Sequence, residues 1–135
     1  MTLVEVVISL GISVLTIAGI VTGYIYCTTA NVKDSLYMAA NARAAERLEE
    51  THSARWDTSS FPPVDELVAT NFLPKTVTLD LSGSGSTLTP ATIRTEISDL
   101  SITPPVRRIR VQCIWSVKGD ELVTNTIETC RAPDQ

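Results

Sequence analysis

The sequence predicts an α+β fold. A long N-terminal helix, from about residue 2 to residue 54, carries a four-stranded antiparallel sheet packed on its C-terminal half. Three observations lead to this prediction. An uncharged run of 27 residues extends from Val6 to Val32, and a stretch free of Gly and Pro continues it to residue 55. The segments after position 75 alternate between apolar and polar residues, as half-buried strands do. The 135 residues suit one small domain and are too few for most two-domain enzymes.

Residues 6–27 form the apolar half of the helix. They comprise 15 apolar residues, three glycines and four Ser or Thr, and as a helix they span about 30 Å, the thickness of a bilayer core. A buried core helix is one alternative, but the 80 residues from Trp56 onward are too few to enclose this segment. A cleaved signal peptide is another, and the absence of a basic region before the run disfavours it. We therefore expect a membrane-inserted helix.

Glu5 is an acid at the start of this apolar helix, where burial is costly unless the carboxylate is paired. The next cationic side chain in the sequence is Lys33, which is too distant. The α-amino group of Met1 is the nearest positive charge, from the same chain or from a neighbouring copy. Pairing between copies would fix the axial register of two subunits, so Met1 and Glu5 are candidates for assembly.

The first six residues, MTLVEV, and the apolar run that follows resemble the mature N-terminus of type IV pilins and type II secretion pseudopilins. The resemblance covers residues 1–27. It implies that a prepilin peptidase removes a leader before Met1, that Met1 is N-methylated, and that this sequence is the processed form. MTLVEV and the Ala/Glu-rich helix downstream resemble minor pilins and minor pseudopilins more closely than most major pilins. Thr22 stands where many major pilins have Pro.

The resemblance also implies a function. The chain is expected to be a structural subunit of a type IV pilus-like extracellular filament, a helical homo-oligomer that polymerises through its hydrophobic helix. Before assembly it would wait as a single-pass protein of the inner membrane, in contact with the pilus or secretion assembly machinery. The alternative is a minor pseudopilin in a short periplasmic pseudopilus of a type II secretion system. A monomeric, membrane-anchored binding module is a further alternative, but it leaves Glu5 unexplained.

Small residues recur at a spacing of four in the apolar half, as Ser9 with Ser13 and Gly19 with Gly23. Such pairs allow helix backbones to approach closely in an apolar environment, so these residues are candidates for helix packing. The alternative is local plasticity of the helix without a specific contact. On either interpretation residues 1–27 are the assembly or transmembrane half, and residues 28–135 form the globular head.

The second half of the helix carries one narrow apolar stripe, which predicts the face that packs on the sheet. Two ion pairs at i,i+3 spacing, Arg43 with Glu46 and Arg47 with Glu50, are expected on the solvent side. The stripe consists of Val32, Leu36, Ala40, Ala44 and Leu48.

The head is predicted to contain four strands joined by a flexible loop at 82–90 and a turn at 118–120. The Trp56–Pro63 segment ends the helix, and Val64–Thr70 is expected to form one or two short helical turns. The predicted strands are Thr76–Leu81, Ala91–Asp99, Val106–Val117 and Glu121–Cys130.

Two of the three cysteines lie in the head. If Val117 pairs with Glu121 across the turn, Cys113 faces Asn125 and is too far from Cys130 for a disulfide unless the C-terminal tail folds back. The pilin resemblance instead implies a C-terminal disulfide between Cys113 and Cys130, which an extracytoplasmic head would retain. Both possibilities are compatible with the sequence.

Charge and motif content argue against catalysis and against nucleic-acid binding. The net charge of −4 disfavours a polyanion partner. Arg107, Arg108 and Arg110 form a small basic cluster that is expected at a solvated strand edge, with DNA binding or surface adhesion as the alternative. His52 is the only histidine, so no multi-histidine metal site or His-based catalytic set is expected. No motif for a cofactor is present.

Overall fold

The computed structural model describes residues 2–79, 88–117 and 121–134. Its elements confirm the α+β class and the position of the long helix. Contacts within the chain divide it into two compact units, one ending at Ser35 and one beginning at Leu36. In chain order the elements are α1 (Leu3–Ser53), β1 (Trp56–Asp57), β2 (Val64–Asp65), a 3₁₀ turn (Ala69–Asn71), β3 (Lys75–Leu79), β4 (Thr89–Ile102), β5 (Pro105–Val117) and β6 (Glu121–Arg131).

The second unit is a four-stranded antiparallel sheet in the order β3-β4-β5-β6, with the C-terminal part of α1 packed against it. Ala40 and Ala44 are fully buried, because a methyl side chain allows the helix backbone to lie close to the sheet. Leu36 is also buried and Leu48 is partly buried, which confirms the predicted stripe from Leu36 onward. Val32 is exposed, contrary to the prediction, because it belongs to the first unit, where no described residue covers it.

The core lies on the inner face of the sheet. Alternate residues of β5, from Ile109 to Trp115, are buried, as their period of two predicts. Ile93 and Thr95 of β4 are buried beside them. The ring of Tyr37 on α1 meets Trp115 edge-on, with ring centroids 5.2 Å apart.

The pairing of β5 with β6 has the predicted register along its whole length. Val117 lies opposite Glu121, Trp115 opposite Val123, and Val111 opposite Ile127. The strand predicted at Ala91 begins earlier, because Thr89 and Pro90 pair with β3. Residues 82–87 of the predicted loop, Leu81 and the predicted turn at 118–120 lie outside the described residues.

The segment between helix and sheet differs from the prediction. Val64 and Asp65 form a short strand antiparallel to β1, and helical structure within the predicted Val64–Thr70 range is limited to the start of a 3₁₀ turn at Ala69–Asn71. The reason is an Asx turn: the Asp57 carboxylate accepts hydrogen bonds from the backbone N–H groups of Ser59 and Ser60, at 2.9 and 3.0 Å. This turn returns the chain alongside β1.

Arg47 forms the predicted ion pair with Glu50, but not on the solvent side. Only 12% of its side chain is exposed. Its guanidinium donates to the Thr95 hydroxyl at 3.2 Å and to the Leu73 carbonyl at 3.0 Å, and it lies 5.2 Å from the centroid of the Phe72 ring. It thus links α1 to β4 and to the segment before β3. The Arg43–Glu46 pair is exposed, as predicted.

The Arg107 side chain is largely covered, with 17% of it exposed, and it does not lie at a strand edge. The prediction of a solvated basic edge is wrong because β5 is a central strand. The Arg107 guanidinium donates to Asp65 at 2.6 and 2.8 Å, to Asp99 at 2.9 Å and to the Leu67 carbonyl at 2.8 Å. It also lies 4.5 Å from the centroid of the Trp56 ring. The other two arginines of the cluster also have partners within the sheet. Arg110 pairs with Glu96 and Glu128, and Arg108 donates to the Ser98 hydroxyl.

The contrast between Arg47 and Arg43 gives a matched test of the head. Arg47→Ala is expected to lower the free energy of unfolding by about 2 kcal/mol, because it removes the hydrogen bonds to the Thr95 hydroxyl and the Leu73 carbonyl and the contact with the Phe72 ring. Arg43→Ala removes an exposed pair and is expected to change it by less than about 0.5 kcal/mol. Thermal unfolding of the two full-length variants in detergent, followed by circular dichroism, measures both values. Equal losses would show that Arg47 is not a structural link.

The Arg107 contacts predict sensitivity of the head to acid. The hydrogen bond from Arg107 lowers the pKa of Asp65 below its ordinary value of 3.8. Because the pKa of Asp65 is lower in the folded state, its ionised carboxylate stabilises the fold at pH values above 3.8. This stabilisation is lost as the pH falls toward the pKa of the folded state. The difference in stability between wild type and Asp65→Asn is therefore expected to shrink between about pH 7 and about pH 3. Thermal unfolding at both pH values measures it. The control is Glu49→Gln, on an exposed residue outside every ion pair in the described part of the chain. A difference for Asp65→Asn that stays constant with pH would contradict the assignment.

Candidate assembly surface

The first unit is an apolar helix with no cover from the described residues of its own chain. Residues 2–29 are exposed, and the helix is long and apolar enough to cross a membrane. Exposed aliphatic side chains of this number in water would be strongly unfavourable, so the segment must be covered by lipid or by protein. The exposed large side chains are Leu3, Val4, Val6, Val7, Ile8, Leu10, Ile12, Val14, Leu15, Ile17, Ile20, Val21, Tyr24, Ile25 and Tyr26.

The helix begins at Leu3, and Glu5 lies in its first turn. The backbone carbonyl of Thr2 accepts hydrogen bonds from the N–H groups of Glu5 at 3.0 Å and Val6 at 3.4 Å. The Glu5 side chain is exposed and has no ion-pair or hydrogen-bond partner within residues 2–79, 88–117 and 121–134. The helix macrodipole favours a negative charge here by only about 0.3–1 kcal/mol. A buried Glu5 therefore needs a cation from elsewhere.

Every polar side chain in the centre of the apolar half is satisfied by the helix itself. The Ser9 hydroxyl donates to the Glu5 carbonyl, and Ser13 donates to the Ser9 carbonyl, both at 2.8 Å. Thr16 and Thr22 bond in the same way to carbonyls one turn earlier. Hydroxyls that are bonded internally can enter an apolar environment at small cost. These bonds were not predicted from the sequence. The signal for them is a Ser or Thr within a long apolar helix, where the carbonyl four residues earlier can accept from its hydroxyl.

Several of the small and polar residues of this helix share one face. Glu5, Ser9 and Ser13 line a shallow groove with Val6 and Leu10. At about 100° per residue, the predicted packing residues all lie within about 80° of Glu5 around the helix axis. These residues are Ser9, Ser13, Gly19 and Gly23, together with Thr16.

The glycines are not required by the chain itself. A Cβ atom added to Gly11, Gly19 or Gly23 would meet no heavy atom within 4 Å outside the helix's own nearby backbone. Glycine also lowers helix stability by about 1 kcal/mol relative to alanine. The described residues thus give no packing reason for any of the three glycines, and the packing of Gly19 and Gly23 against another helix stays a prediction.

The remaining predicted site residues are not part of this surface. Met1 lies outside the described residues, so the predicted pairing of its amine with Glu5 and its methylation stay predictions. Cys113 and Cys130 are both free thiols in the head. Cys113 lies opposite Asn125, and Cys130 lies opposite Arg108, five residues before Cys113 on β5. That spacing is about 17 Å, well beyond the roughly 7 Å that a disulfide tolerates. The two side chains also point to opposite faces, so the disulfide implied by the resemblance is not formed.

The described residues contain no group of three His, Cys, Asp or Glu side chains that could hold a metal ion. Comparisons with protein-family models, with curated proteins and with solved structures find no match for this chain. The layout is nevertheless the one expected from the resemblance: a long apolar N-terminal helix and an antiparallel sheet.

Replacing the glycines tests whether this face packs against another helix. Gly19→Leu and Gly23→Leu are expected to reduce assembly by at least about tenfold, because a bulky side chain prevents close backbone approach. Gly11→Leu is the matched control, since Gly11 lies about 120° around the axis from Glu5. Sedimentation of assembled material, with membrane insertion measured in parallel, separates the effects. Equal behaviour of all three variants would contradict a specific packing face.

Proposed function

We propose that this chain is a structural subunit of a type IV pilus-like filament and polymerises through residues 3–27 of α1. The observation that carries the proposal is an apolar helix that no described residue covers, with a carboxylate, Glu5, in its first turn that has no partner among the described residues. A parallel bundle of such helices would cover the apolar side chains and bring each Glu5 close to the N-terminal amine of a neighbouring copy. Heads formed by the second unit would then coat the bundle.

The energy of assembly must come from packing and from charge pairing. Burying an aliphatic side chain is worth about 1.5–3 kcal/mol relative to water, but a bilayer already supplies most of that gain. Transfer from membrane to filament is therefore favoured by close helix packing and by the Glu5 pair. An unpaired Glu5 carboxylate at the membrane boundary is unfavourable in the precursor. Pairing of this carboxylate in the filament therefore favours transfer of the subunit from the membrane to the filament.

The proposed location follows from the same segment. A single apolar helix of this length is compatible with a membrane-anchored precursor. We propose that the chain is held in the inner membrane before assembly, after processing by a prepilin peptidase, and that the assembly machinery moves it into an extracellular filament.

Removal of the Glu5 carboxylate is the most direct mutational test of the proposal. Glu5→Ala is expected to leave membrane insertion intact and to lower filament yield by more than about tenfold, because breaking a buried pair costs about 3–5 kcal/mol. Glu49→Ala, which removes an exposed charge from the same helix, is the matched control. Electron microscopy and fractionation of membranes give the two readouts. Normal filament yield from Glu5→Ala would exclude the register role.

Truncation tests which unit carries assembly. The head alone, from about Lys33 to Gln135, is expected to be soluble, folded and monomeric, because its apolar stripe on α1 is already covered by the sheet. Gel filtration determines its association state, and circular dichroism determines whether the sheet is retained. Filaments formed by the truncated head would place the assembly surface on the other unit.

A further inference from the structure

The outer edge of β6 is the longest unprotected strand edge in the described part of the head. All eleven residues of β6 pair with β5 without a register shift, whereas the β4–β5 pairing is interrupted between Asp99 and Ser101. The strand contains no Pro, Gly or Lys, the residues that commonly block edges. Among the described residues, no backbone group outside β5 bonds to it. About half of its N–H and C=O groups thus lack a strand partner.

The opposite edge of the same sheet is β3, which pairs only with β4 among the described residues. Because the sheet has four strands and every pairing is antiparallel, β3 and β6 run in opposite directions. Two copies placed side by side in the same orientation would therefore bring β6 of one against β3 of the other as an antiparallel pair. Pairing of β6 with β6 of a second copy would instead reverse one of the two heads.

We infer that β6 of one subunit accepts β3 of the neighbouring subunit, so that adjacent heads share a continuous sheet. This inference rests on the proposed function, which supplies copies in one orientation. A head-to-tail contact of this kind leaves one free edge on each copy, and it repeats along a filament when the rotation between copies does not close a ring. It also satisfies the open backbone groups of both edges, as in the addition of a strand to a sheet.

The side chains of the two edges match at three positions in one register. With Thr76 opposite Thr126 and Thr78 opposite Thr124, the outer faces form two threonine pairs, which stabilise antiparallel strands. In that register Leu79 lies opposite Val123 and continues the apolar inner face. In the same register Val77 lies opposite Asn125, and Lys75 lies opposite Ile127.

The contact is too small to hold two heads together in solution. A pairing limited by the five residues of β3 buries far less than the roughly 1,200 Å² of a stable interface. It therefore agrees with a monomeric isolated head. Once the helix bundle holds the heads side by side, the pairing becomes effectively intramolecular, and a weak contact is then sufficient.

Disulfide trapping in filaments of the full chain tests the inference. The background carries Cys27→Ala and Cys130→Ser, and Cys113 is kept because it is buried. Adding Thr78→Cys and Thr124→Cys places two thiols directly opposite each other between copies, within disulfide range. Mild oxidation of filaments is expected to give a ladder of dimers, trimers and longer multimers that reductant abolishes. Either single-Cys variant is expected to give no ladder.

The outcomes separate this inference from the proposed function. Filaments that form normally but give no ladder overturn the edge pairing and leave the filament proposal standing. A dimer without longer multimers from Thr126→Cys alone indicates β6 against β6 and also overturns it. Failure of the unmodified chain to form filaments overturns both proposals.

Hydrogen exchange covers the case in which the Cys variants do not assemble. In unmodified filaments the amides of residues 121–131 are expected to exchange more slowly than in the same chain dispersed in detergent. Unchanged exchange in this segment overturns the edge pairing.

Discussion

The need to cover an apolar helix governs the rest of this molecule. Residues 3–27 present aliphatic side chains on all sides, and no described part of the same chain shields them. The hydroxyls of this segment bond back to the helix, so that it is compatible with an environment without water. Its remaining polar feature, the Glu5 carboxylate, cannot be satisfied in this way. No partner for this carboxylate lies among the described residues, and we propose that a cation of a neighbouring copy supplies one.

In the head, the apolar side chains are covered by other parts of the same chain. Fully buried alanines let α1 lie close on the sheet, and alternating side chains of β5 fill the space between them. Arg47 and Arg107 act as links between distant segments, each with several acceptors and an aromatic ring beneath the guanidinium. Within the described residues the head thus covers its own core, and the open backbone groups at the edges of the sheet and the buried Trp115 Nε1 remain without hydrogen-bond partners. Cover for the helix and strand pairing at the edges would both be supplied by copies of the same chain.

The parts of the fold that follow from local periodicity could be predicted from the sequence. The β5–β6 register follows from the alternation of apolar residues and the length of the turn, and it places Cys113 opposite Asn125 as the arithmetic indicated. This register is incompatible with the Cys113–Cys130 disulfide that the resemblance implies. The ion pairs of Arg107 could not be predicted, because Asp65 lies 42 positions away and carries no local sign of its partner.

The candidate site was predictable to a similar degree. Glu5, Ser9 and Ser13 share a groove because residues four apart share a helix face, which the sequence alone indicates. The stripe on α1 was predicted one residue too long, because the sequence does not reveal that Val32 belongs to the first unit. The internal hydroxyl bonds required side-chain geometry. A partner chain, which would satisfy Glu5, leaves no mark in one sequence except the unmet charge.

Helical reconstruction of assembled full-length chains by electron cryomicroscopy would show what covers the apolar helix. If the chain polymerises through this helix, the map will show a core of parallel helices formed by residues 3–27, with each Glu5 carboxylate within hydrogen-bond distance of the N-terminal amine of a neighbouring copy. An assembly held together by the heads alone, with Glu5 facing solvent or lipid, would contradict this proposal.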